Sequence, residues 1–197
     1  MSQRTYFPYL VLLAGVLIAA TSSILIRLAQ TEGAPSLGIA SWRLMLATVI
    51  LTPIAWRRRG PEIRQLARRD IGWGVLAGLF LAAHMAAWIS SLAYTSVASA
   101  AALVTTNPLW VALFEVVILH VRLSRLVWIG LLTAVAGGTI IALSGTAAGT
   151  SAGDNPLLGS ALALVSAVFV ALYLIASRAL RTHTPLLPFL WLVYSSA

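Results

Sequence analysis

The sequence predicts an all-α integral membrane protein, and three observations carry that prediction. Hydrophobic residues make up 60% of the 197 and charged residues only 9%, against roughly 25% charged in soluble domains. The apolar residues fall in runs of about 20, long enough to cross a hydrocarbon layer of roughly 30 Å as helices. Basic residues alternate between the runs: six arginines lie between Arg57 and Arg69, whereas every second connection has none.

The spans follow in order. The first, 8–29, comes after Arg4 and resembles a signal peptide at its start. Its run exceeds the usual h-region of about 7–15 residues and more spans follow, so it is expected to stay as a helix. The second, 37–56, ends at the arginine run. Spans 71–94 and 96–119 meet at a turn near Thr95, and 126–145 follows. Pro156 then suits the first turn of a helix over 157–180. A last apolar stretch, 186–197, is too short to cross a bilayer. The chain is therefore expected to be an N-terminal fragment holding about six to seven helices of a larger protein.

Arg4, Arg57–Arg69, Arg122, Arg125, Arg178 and Arg181 all fall on one side if the N-terminus is cytoplasmic. Short-loop arginine sets orientation, which predicts a multi-pass protein of the cell inner (plasma) membrane with a cytoplasmic N-terminus. The net charge of +8 is thereby read as topology and anionic-lipid contact rather than nucleic-acid binding. The chain has no cysteine, which excludes disulfides and thiolate chemistry.

The stretch 146–156 is small, polar and flexible in composition. It divides the chain into a first module of five spans (1–146), an extracytoplasmic linker (147–156) and the start of a second module (157–197). A short repeat agrees with this. Leu25-Ile26-Arg27 closes the first span and Ala176-Ser177-Arg178 the sixth, with Pro35 and Pro185 following at nearly equal offsets. Five spans separate the copies, so the second enters the membrane inverted, as in many secondary transporters.

The order of a basic loop after span two, Ala93-Tyr94-Thr95-Ser96-Val97-Ala98-Ser99-Ala100-Ala101, Asn107-Pro108-Leu109 and Gly130…Gly137-Gly138 resembles the drug/metabolite transporter superfamily, specifically its EamA-type exporters. The resemblance implies a ten-helix fold of two inverted five-helix modules and export of amino acids or other small metabolites. The family usually has a glutamate nine residues before the first glycine of helix five. Val121 stands there in this chain, and Glu115 lies six residues earlier.

Counting 1.5 Å per residue along each span brings several polar side chains to one layer just outside the midplane: Ser22, Ser23 and Arg43, then His84, Asn107 and Ser166, with Thr105 and Thr106 slightly further out. The candidate substrate-binding residues are Arg43, His84, Trp88, Asn107, Ser22 and Thr106. Arg43 costs about 2.5–3.5 kcal/mol at a span centre, and it either snorkels to the outer headgroups or faces the bundle. His84 and Trp88 share a helix face; each serves the cavity or simply packs. Pro108 leaves the carbonyl of Val104 without a helix partner and is the candidate hinge. Glu115 and His84 are candidates for proton coupling, with a structural bond to cytoplasmic arginines as the alternative for Glu115. Gly74/Gly78 and Gly130/Ala134/Gly138 allow close helix approach.

The function expected is secondary transport by alternating access, with no activity in residues 1–197 alone. The rival is a non-transporting scaffold or assembly subunit. A membrane enzyme ranks last, since neither a Gly-x-Ser-x-Gly turn nor paired carboxylates occur. The expected partners are a small-molecule metabolite, the lipid bilayer and a second copy of the chain in a homodimer. No cofactor, metal or nucleic acid is expected.

Overall fold

The structure is a computed structural model that describes residues 3–147, 154–181 and 184–197. Its helices are α1 (Gln3–Thr31), α2 (Ser36–Arg64), α3 (Arg68–Tyr94), α4 (Val97–Val104), α5 (Asn107–Leu119), α6 (Arg125–Ala147), α7 (Pro156–Arg181) and α8 (Leu186–Ser196). No strand occurs among the described residues. Among the described residues, five stretches are long and apolar enough to cross a membrane: α1 from Pro8, α2, α3, α4 with α5, and α7. Most of the linker, 148–153, lies outside the described residues.

Two elements differ from the spans expected. The arginine run is a continuation of α2 rather than a loop, with non-helical angles at Arg59 (φ −140°, ψ 26°). Pro61 has no N–H and its ring crowds the preceding turn, so the ladder breaks there and resumes. Arg59 pairs with Glu62 at 2.6 Å, and Arg64 lies over the ring of Trp56 at 5.6 Å. Both contacts are exposed and contribute little; they order the emerged turn.

The other difference is the fourth span, which is broken. α4 ends at Val104, and Thr105 and Thr106 form a tight turn before α5. Pro108 therefore sits in the first turn of α5, where its missing N–H costs nothing, rather than kinking a continuous helix. The Thr106 amide reaches back to the Leu103 carbonyl at 3.2 Å. Within the same turn, the hydroxyls of Thr105 and Thr106 donate to the carbonyls of Ala102 (2.8 Å) and Leu103 (2.6 Å).

The bundle is organised by α3 and α7, which pack antiparallel along their lengths. Gly74 lies by Leu180, His84 bonds Ser166, and Thr95 meets Gly159. On α7, Gly159, Ala163, Ala167 and Ala171 recur every fourth residue and are buried. Small residues at that spacing bring backbones close without a hydrophobic driving force, which lipid does not supply. At Gly159 the approach is tight: an added Cβ would lie 2.7 Å from the Thr95 Cβ and 2.8 Å from its nitrogen.

Two apolar clusters flank this axis. One joins Leu44, Ala77, Leu81, Ala176, Leu180, Phe189, Leu192 and Val193; the other joins Ile26, Ala40, Ile89, Leu92, Ala100, Leu103 and Ala163. α8 fills the space between α2 and α3. It does so over Gly74 and Gly78, where added Cβ atoms would meet Leu192 and Ser196 at 2.1 Å. The glycines of α6 behave differently. An added Cβ at Gly138 would meet Thr106 at 3.4 Å, whereas one at Gly130 would meet nothing within 4 Å.

The antiparallel α3–α7 pair and the Glu115–Arg178 contact place the ends of α2, α5 and α7 with the start of α3 at one end of the bundle. Arg57–Arg69, Arg122, Arg125, Arg178 and Arg181 gather there, an arginine-rich end opposite a Thr95 end.

Gly78→Ala is expected to destabilise the protein by about 1–3 kcal/mol through overpacking, because its Cβ would stand 2.6 Å from the Val193 carbonyl oxygen. Gly72→Ala, with nothing within 4 Å, is expected to leave stability unchanged or raised. Thermal unfolding of both variants in detergent checks the contrast.

Candidate functional site

Arginine and glutamine side chains near the end of α1 tie it to the Thr95 end. Arg27 donates to the carbonyl of Leu92, and Gln30 Nε2 donates to the carbonyl of Ile89 at 2.7 Å and to Ser36 Oγ at 2.9 Å. Leu92 lies in the last turn of α3, whose carbonyls have no partner within the helix. A guanidinium there satisfies one of them and offsets the helix dipole. Deeper on the same side, Arg43 Nη1 donates to Ser22 Oγ at 2.9 Å. The equal depth expected of Ser22 and Arg43 is thus realised as a direct bond between α1 and α2.

His84 and Ser166, also expected at one depth, meet in the α3–α7 interface. His84 Nδ1 lies 2.8 Å from Ser166 Oγ and 3.0 Å from the Ser166 carbonyl oxygen, and Ser166 Oγ donates to the His84 carbonyl at 3.2 Å. In the Nδ1–H tautomer the ring donates to the Ser166 carbonyl. His84 is 8% exposed and Ser166 fully buried, so the pair is sealed between helices rather than facing open space. Trp88, one turn on, is half-buried against the second apolar cluster.

The broken span provides the third group. Thr106 is buried and Asn107 half-buried, at the junction of α4 and α5. Ten residues separate the break from Ser96 at the Thr95 end, about 15 Å of helix and half the thickness of a roughly 30 Å hydrocarbon layer. Beside it lies a cavity of about 520 Å³, walled by Thr106, Trp110, Val135, Thr139, Ser160 and Leu164 among others. Its walls come from α4, α5, α6 and α7 and are mostly apolar, with a few hydroxyls.

Two further cavities open elsewhere. One of about 440 Å³ lies between α2, α3 and α8, with Ser41, Thr48, Ala82, Ala86 and Tyr194 on its walls. Thr48 Oγ1 crosses to the Tyr194 carbonyl at 2.7 Å. The other, about 510 Å³, lies near the arginine-rich end between α5 and α7, with Glu115, Tyr173, Arg178 and Arg181 around it. Glu115 is bonded to Arg178, the structural alternative expected for it.

The polar layer expected from depth is therefore not one cluster. It resolves into Ser22 with Arg43, His84 with Ser166, and Thr106 with Asn107; of the expected binding residues, Thr106 lies on a cavity wall. Depth fixes height along the membrane normal but leaves rotation about each helix axis free. Arg27, Gln30 and Arg178 are polar contacts that the depth argument did not select. Their signal was position: each lies in or beside the last turn of its helix, where free carbonyls and neighbouring helix ends attract cations. The small-residue stripe of α7 was legible from its spacing of four.

Residues 6–143 match the EamA-like transporter family. The chain belongs to that family. Its members are transporters, and the match extends from α1 into α6, so the chain is a multi-pass membrane transporter of small molecules by family. No curated protein and no solved structure matches the chain.

If the His84–Ser166 pair holds the EamA-like bundle together, His84→Phe and Ser166→Ala are expected to be non-additive. Polar pairs between membrane helices couple by about 0.6 kcal/mol on average, up to about 1.7. A double-mutant cycle on unfolding in detergent measures this; strict additivity counts against the pair.

Proposed function

We propose that this chain forms part of a secondary carrier that exports amino acids or other small metabolites by alternating access. The observation that carries the reading is the break at Thr105–Thr106, near the middle of the apolar stretch Val97–Ile118 and beside a cavity of about 520 Å³. Carriers bind substrate near the midplane at discontinuous helices, where freed backbone groups can reach a ligand. A volume of that size suits a small metabolite.

In this proposal Thr106 and Asn107 contact the substrate at the break, with Pro108 preserving the interruption as a hinge. Arg43, held by Ser22, supplies a cation toward the Thr95 end for a carboxylate. His84 and Trp88 contribute from α3, which substrate reaches only when α7 separates from it. Proton coupling through His84 would require it to leave Ser166, and coupling through Glu115 would require it to leave Arg178. The linker near 147–156 divides a five-helix module from the start of its inverted copy. The arginine-rich end faces the cytoplasm of a cell whose inner membrane holds the protein, and a homodimer remains a proposed assembly.

In an efflux assay on cells producing the complete carrier, Arg43→Ala and Thr106→Val are expected to reduce flux about tenfold or more, the scale of a lost bond to a charged substrate. Membrane insertion and unfolding temperature are expected to stay near native. Unchanged flux with impaired assembly supports the scaffold reading instead.

Orientation is open to a separate test, because the chain has no native cysteine. Gln65→Cys is expected to react with a membrane-impermeant maleimide only from the cytoplasmic side, and Asp154→Cys only from the opposite side. Labelling of both from one compartment would overturn the proposed topology.

A further inference from the structure

A buried hydroxyl lies on the wall of the cavity near the ends of α5 and α7. Ser177 is 3% exposed, and its Oγ, beside the Tyr173 hydroxyl, donates to no carbonyl of its own helix. Helical hydroxyls usually donate one turn back, as Ser41 and Thr52 do in this chain. Ser177 does not.

The same cavity, about 510 Å³, carries Glu115, Tyr173, Arg178 and Arg181 on its walls. Two guanidinium groups against one carboxylate leave a net charge of +1. Arg178 and Arg181 lie in the last turn of α7, where cations also offset the helix dipole by about 0.3–1 kcal/mol. The dipole explains the arginines but not the buried Ser177 hydroxyl on the same wall.

We propose that this cavity binds a phosphate group. Arg178 and Arg181 provide the charge, Ser177 Oγ and the Tyr173 hydroxyl donate to the phosphate oxygens, and Glu115 holds Arg178 when the anion is absent. A carboxylate needs only one guanidinium, as the Glu115–Arg178 bond illustrates. Four donor side chains from successive turns suit a tetrahedral anion with several acceptor oxygens. The phosphate can come from an anionic lipid headgroup, since basic groups at a membrane face attract such lipids, or from a soluble phosphate-bearing molecule. The inference concerns binding near the arginine-rich end and is independent of the transport reading.

The test is calorimetric titration of residues 1–197 in uncharged detergent, with short-chain phosphatidylglycerol in one arm and inorganic phosphate in the other. Sodium chloride at matched ionic strength is the control. Saturable binding of the lipid alone identifies a headgroup site; binding of inorganic phosphate, with or without the lipid, identifies a site open to soluble phosphate. Arg181→Gln and Ser177→Ala are expected to weaken binding about tenfold or more, and Glu115→Gln to strengthen it by removing the competing carboxylate. Arg57→Gln, on the exposed end of α2, is expected to bind as the native chain does. If Arg181→Gln does not fold, Ser177→Ala removes one oxygen and decides alone. No saturable binding of either probe, native affinity in Ser177→Ala, or an equal loss in Arg57→Gln would overturn the proposal.

Discussion

Close backbone contact between α3 and α7 is the constraint on which the remainder of the bundle depends. In lipid, helices gain little from burying leucine against leucine, so association rests on van der Waals fit and interhelical hydrogen bonds. Gly159, Ala163, Ala167 and Ala171 supply the fit on α7, and His84 with Ser166 supplies the bonds. Once these helices are fixed antiparallel, Thr95 is pinned under Gly159, which places the start of α4. Gly74 and Gly78 are then presented to α8. Both apolar clusters draw members from α3 and α7.

The periphery follows a different rule. α1 contributes Ile26 to the core and attaches through Arg27, Gln30 and Ser22, while Tyr9 through Ile18 include many large exposed apolar side chains. Its last turns are anchored by a charge-assisted bond from Arg27 and a neutral one from Gln30 to α3 carbonyls, and its first half presents the apolar surface expected of a lipid-facing rod. α6 is similarly exposed along Leu126, Ile129 and Leu132 and meets the core near Gly138. Packing is therefore firm at the centre and sparse at the outer helices. The break between α4 and α5 lies where these regimes meet.

Of the fold, the membrane-spanning helical character could be read from apolar run length, because a bilayer imposes a minimum helix length. The two departures share a cause. Proline at residue 61 and proline at residue 108 each remove one helix bond, but sequence does not say whether the chain bends, breaks or resumes. At Pro61 the solvated arginines let a kinked helix continue. At Pro108 two threonine hydroxyls capture carbonyls and complete a turn, so the helix restarts. Of the candidate site, depth set Ser22 level with Arg43 and His84 level with Ser166 without pairing them, and could not tell that His84 faces α7 rather than open space.

By itself the sequence determined that this is a helical membrane protein and which connections carry the arginines. Those properties follow from one-dimensional quantities: the length of apolar runs and the placement of charge. Rotation of each helix about its axis, the choice of α7 as the partner of α3, and the separation of the polar layer into distinct pairs were decided only in three dimensions. Each depends on which small residues permit close approach, and that is a property of two helices together.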